Sequence, residues 1–93
     1  MKTEIELNRA LVEKSVNRYM KGDLSTEDAA MCKLASSEMQ GRVADRCLQL
    51  FGGYGYMSEY KISRAYVDAR VQRIYGGTSE VMKEVIARSL VGR

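Results

Sequence analysis

A chain of 93 residues, 45% hydrophobic and 29% charged, suits one soluble domain with a modest core. Its net charge of +3 is too small and scattered for a nucleic-acid-binding stripe. The absence of histidine removes His-based triads and His-ligated zinc, and no apolar run nears membrane-spanning length or forms a secretory signal. The expectation is a cytoplasmic protein with neither nucleic acid nor membrane as partner.

With no proline and many Ala, Leu, Glu, Lys, Arg and Met residues, the chain reads as helical throughout. Apolar spacing predicts a first helix over about 3–21, with Leu7, Leu11, Val12, Val16, Tyr19 and Met20 on one face. Gly22-Asp23 ends it, and Ser25 followed by Asp28 three residues later makes a capping-box-like start for the next. That second helix carries Met31, Leu34, Ala35, Met39, Val43, Cys47 and Leu50 at helical spacing and runs to Phe51, a rod of about 40 Å. Cys32 and Cys47 lie about 22 Å apart along it, too far for a disulfide, and read as small core residues in a reducing compartment.

Gly52-Gly53 stops the rod, since glycine takes the left-handed conformation that a helix end often needs. A Tyr-Gly-Tyr loop then leads to a third helix over about 59–69, with Ile62, Ala65, Tyr66 and Ala69 inward. The loop from Arg73 to Gly77 starts a last helix with Val81, Met82, Val85, Ile86 and Leu90 on its apolar face. No strand pattern or repeat is present, so the fold class is all-α, an antiparallel bundle of about four helices.

Two glycine clusters carry the chemical interest. In Tyr75-Gly76-Gly77-Thr78-Ser79-Glu80 a paired glycine runs into a helix N-terminus. There, unpartnered amides and the helix dipole favour anionic or electron-rich groups. The same residues also read as an ordinary turn with an N-cap. The upstream cluster, Gln49-Leu50-Phe51-Gly52-Gly53-Tyr54-Gly55-Tyr56, follows a helix rather than a strand. It is therefore a helix C-cap and not a dinucleotide-binding fingerprint.

These two clusters, in order with Asp68-Ala69-Arg70-Val71 between them, closely resemble the C-terminal helical domain of the acyl-CoA dehydrogenases, over about 30–93. The resemblance implies FAD as cofactor and α,β-dehydrogenation of acyl-CoA thioesters by the complete enzyme. The chain would be one C-terminal helical domain, 1–93, with the N-terminal helical and middle β-domains absent. It implies that Gln49, Gly52 and Gly53 reach the ADP part of an FAD held by a neighbouring subunit. Thr78 and Glu80 would contact FAD in their own subunit, and Tyr75 and Gly77 would lie beside the acyl thioester.

In many members the position of Gly76 carries the catalytic glutamate. In the branch that includes the long-chain and isovaleryl enzymes it is glycine, and the base comes from an earlier helix. No catalytic residue is therefore expected within this chain, which alone should be inactive. Its expected partners are copies of itself or the missing domains, with acyl-CoA bound only in the complete enzyme. Lys61 stands where the family usually has proline, and Val67 where it usually has arginine. These departures keep an alternative open, a helical oligomerisation or assembly module that has lost flavin binding.

Overall fold

Ser25 fixes the start of the longest element. Its side chain accepts a hydrogen bond from the Asp28 amide at 3.1 Å, replacing a partner that the first helical turn lacks. The computed structural model describes residues 1–91; Gly92 and Arg93, the end of the expected 1–93 domain, lie outside the described residues. Four α-helices follow one another: α1 (Lys2–Met20), α2 (Thr26–Phe51), α3 (Lys61–Val71) and α4 (Ser79–Leu90).

Two local expectations are corrected. Gly52 does take a positive φ, 62°, but with ψ −139° it is not left-handed helical. The chain instead tightens into a 3-10 turn over Gly52–Tyr56 where an open loop was expected. In addition, α3 begins two residues late. The Tyr60 amide is tied back to the Met57 carbonyl at 3.0 Å, which holds 57–60 in a turn and leaves Tyr60 as N-cap.

The helices are organised around α2. It packs against α1, α3, α4 and the 3-10 turn, while among the described residues α1, α3 and α4 make no contact with one another. The middle of α2 is consequently half-buried on every side, with Ser37 buried. A molecule measuring 48 × 24 × 19 Å results, with a radius of gyration of 15.4 Å. A compact domain of this length would have about 12 Å.

The expected faces are only partly met. Toward α2, α1 turns Glu4, Asn8, Leu11, Ser15 and Arg18, spaced alternately four and three residues apart, with Ser15 buried. Leu7, Val16, Tyr19 and Met20, expected to face inward, are 67%, 50%, 74% and 78% exposed. Leu50, Ala65, Val81 and Leu90 are exposed as well, whereas Ile62, Tyr66, Met82, Val85 and Ile86 are half-buried and Ala69 is buried. Between α1 and α2 runs an almost wholly apolar groove of about 380 Å³, lined by Val12, Val16, Tyr19, Leu24, Ala29 and Cys32. Cys32 and Cys47 are free thiols, half-buried rather than core residues.

The α1–α2 seam is held at both ends by ions. Glu4 receives a hydrogen bond from Arg42 Nε at 2.7 Å and lies 4.0 Å from Arg46, while Arg18 donates to Asp28 at 2.6 Å. Pairing 4 with 42 and 18 with 28 makes the two helices antiparallel. Such partly exposed pairs fix register more than they add stability. The Arg42 hydrogen bond holds the Glu4 carboxyl below its ordinary value, with the charges of Arg42, Arg46 and the N-terminus assisting and burial opposing. For Asp28, hydrogen bonding with Ser25 is the largest lowering cause, then Arg18, again against burial.

A carboxyl whose value is lowered by folding contributes stability that is fully present above its unfolded value. That contribution is lost as pH falls through the folded one. Acidification below about pH 4, the ordinary carboxylate range, is therefore expected to loosen α1 from α2. Hydrogen exchange over residues 2–20 measures this, and protection there that is unchanged at about pH 3 would contradict it.

Candidate functional site

The second glycine cluster is built at the junction of α3 and α4. After Val71 the chain coils through one more tight turn, with the Ile74 and Tyr75 amides both on the Val71 carbonyl, at 2.9 and 3.1 Å. Gly76 and Gly77 then take φ of 63° and 99°, which side-chain-bearing residues rarely adopt. At Gly77 a Cβ would also stand 2.5 Å from Met82 Cε. Thr78 caps α4, its Oγ1 accepting from the Val81 amide at 3.1 Å. The loop closes on itself where the Ser79 amide meets the Arg73 carbonyl at 3.1 Å, and Ser79 is 2% exposed.

This geometry leaves three successive amides, those of Gly76, Gly77 and Thr78, without a backbone acceptor among the described residues. They precede the positive end of α4, where an electron-rich group is favoured. Around them Tyr75 is half-exposed, Gly76 and Glu80 are exposed, and Gly77 and Thr78 are half-buried. Tyr75, Gly77, Thr78 and Glu80 therefore share one loop and helix start.

Gln49, Gly52 and Gly53 form a separate patch. All three are exposed at the far end of α2, and α4 touches neither the 3-10 turn nor α3. Beside them Tyr60 stacks edge-on to Phe51 at 6.4 Å between ring centres and tilted to Tyr54 at 5.4 Å. This makes a firm aromatic border. From Gln49 to Lys33, where the other cluster meets α2, is about 24 Å at the usual helical rise.

Two residues of α2 that hold the second cluster were not singled out from the sequence. Lys33 of α2 donates from Nζ to the Gly77 carbonyl at 2.5 Å. Glu38 of α2 forms an ion pair with Arg73, whose aliphatic stem passes 3.6 Å from where a Cβ would stand on Gly41. A trace of this was present in the sequence. Lys33, Ser37 and Gly41 fall at four-residue steps, so small residues line the stripe on which the lysine lies.

Comparison with known proteins agrees with this architecture. The family model described as the acyl-CoA dehydrogenase C-terminal domain matches residues 1–91, well beyond the 30–93 on which the resemblance rested. The chain is 52% identical over 91 residues to the long-chain specific acyl-CoA dehydrogenase, mitochondrial, of Rattus norvegicus, covering 98% of this chain and 21% of the relative. It is 45% identical to the acryloyl-CoA reductase (NADH) of Anaerotignum propionicum, covering 100% and 24%.

Among solved structures, an acyl-CoA dehydrogenase from Geobacillus kaustophilus superposes with a TM-score of 0.93 at 47% identity, covering 97% of this chain and 24% of that one. Butyryl-CoA dehydrogenase from Megasphaera elsdenii gives 0.93 at 41% identity, covering 98% and 24%. The chain belongs to the acyl-CoA dehydrogenase family, as its C-terminal helical domain. It spans about a quarter or less of the length of these relatives. No helix among the described residues is long and apolar enough to cross a membrane.

Proposed function

We propose that this chain supplies the C-terminal wall of an FAD site and part of a subunit interface in an acyl-CoA dehydrogenase. The observation that carries the reading is the run of unengaged amides at Gly76, Gly77 and Thr78, held at the start of α4 in a domain of this family. Such a run fits the electron-rich edge of a flavin, and the two glycines leave no side chain to obstruct it. Thr78 and Glu80 would hold the FAD of their own subunit, and Tyr75 and Gly77 would border the acyl thioester. Gln49, Gly52 and Gly53 would reach the ADP portion of FAD in a neighbouring subunit. The separation of the two patches along α2 supports this division of labour.

Hydride-accepting chemistry would be supplied by FAD, once held by these residues in the complete enzyme. This chain's part is to position and to exclude water. Gly76 has no group that can take the α-proton, so that proton passes to a base outside these residues, and the chain alone is inactive. Two free thiols suit the reducing, cytoplasmic setting that completes this reading.

The test is FAD retention by a flavoprotein in which this chain replaces the matching quarter of a relative. Thr78→Ala is expected to weaken FAD about tenfold, the worth of one hydrogen bond near 1.4 kcal/mol. Thr78→Ser, which keeps both hydroxyl and cap, is expected to bind normally. A folded, correctly assembled hybrid that retains no FAD would sink the proposal.

A further inference from the structure

The geometry points to Lys33 as a positioning residue: from α2 it fixes the orientation of the Gly77–Thr78 peptide and so aims the Thr78 amide at the cofactor. The bond from Lys33 Nζ to the Gly77 carbonyl, 2.5 Å, joins residues 44 apart in sequence and is partly buried. The Gly77–Thr78 peptide is trans, so its carbonyl and the Thr78 N–H point in opposite directions. Drawing the carbonyl toward α2 turns the N–H outward, away from α2 and toward the open side of the loop.

The ammonium also polarises that peptide, which strengthens its N–H as a donor. Glycine at 77 would otherwise leave the peptide loosely held, because the ψ torsion on its glycine side is permissive. The Glu38–Arg73 pair anchors the other end of the loop but leaves this peptide unrestrained. The cofactor meaning of the clamp rests on the flavin reading above, whereas the clamp itself does not.

Residue-resolved hydrogen exchange on the full chain separates the two. The Ser79 amide, bonded across the loop to Arg73, reports whether the loop is held. Lys33→Met is expected to speed its exchange about tenfold, as loss of one charge-assisted hydrogen bond would, with the Ala29 and Ser37 amides of α2 unchanged. Lys33→Arg is expected to restore most of the protection.

Unchanged Ser79 exchange in Lys33→Met, or acceleration shared equally with Ala29 and Ser37, would overturn the proposal. In a hybrid flavoprotein carrying the chain, Lys33→Met is further expected to weaken FAD about tenfold, with Lys33→Arg near normal. If Lys33→Met leaves FAD affinity intact, the aiming role falls. If no form retains FAD while Ser79 still depends on Lys33, the flavin reading falls and the clamp stands.

Discussion

With this chain in place of the matching quarter, a long-chain acyl-CoA dehydrogenase is expected to keep both its flavin and its turnover. A relative whose base stands at the Gly76 position is expected to keep only the flavin. The difference follows from one missing carboxylate. A positioned general base contributes roughly 10²–10⁴-fold, and glycine supplies none of it. In the second hybrid turnover should therefore fall by that factor, and Gly76→Glu should return most of it.

The site can accept the change, because no atom lies within 4 Å of where a Cβ on Gly76 would stand. The cost is the φ of 63°, about 1–2 kcal/mol for a side-chain-bearing residue. Dye reduction by an acyl-CoA, normalised to bound flavin, measures both hybrids. A flavin-loaded long-chain hybrid without turnover would show that this domain does not match a host with its base elsewhere. Full turnover in the other hybrid would show that position 76 does not carry the base.

Purified alone at micromolar concentration, the chain is expected to sediment as an oligomer, not as a stable monomer. Among the described residues only Ala30 and Ala69 are buried apolar residues, and no large side chain is fully buried. Leu7, Tyr19, Met20, Leu50 and Leu90 are each exposed by two-thirds or more. Covering a side chain of this size is worth about 1.5–3 kcal/mol, so a few such contacts outweigh the freedom lost on association. Tyr19→Lys with Met20→Lys is expected to weaken self-association at least tenfold, about 1.4 kcal/mol, without loss of helicity. Sedimentation equilibrium of the unaltered chain as a clean monomer at about 50 µM, in the range of weak association, would refute this.

The difference between expected and observed faces has the same origin. Amphipathic spacing located all four helices, and the residues chosen as caps, Ser25 and Thr78, make the hydrogen bonds their types suggest. The α1 stripe misled because hydrophobic periodicity marks apolar surface without saying what covers it. Contacts within these residues use Glu4, Asn8, Ser15 and Arg18 around Leu11, which does belong to the expected stripe. At the candidate site the glycine loop was legible because the positive φ at Gly76 and Gly77 strongly favours glycine. Lys33 was not, since a lysine on a helix reads as a solvated charge until its partner, 44 residues away, is folded against it.

The arrangement around α2 has a mechanical consequence. One rod carries the Gly77 clamp near its beginning and Gln49 at its end, and the outer helices do not brace one another. A displacement felt at one cluster can reach the other as a tilt or twist of that axle, or along α3, which touches the 3-10 turn at one end and leads into the glycine loop at the other. Two flavin contacts assigned to different subunits would then be kept in step by the stiffness of these two helices.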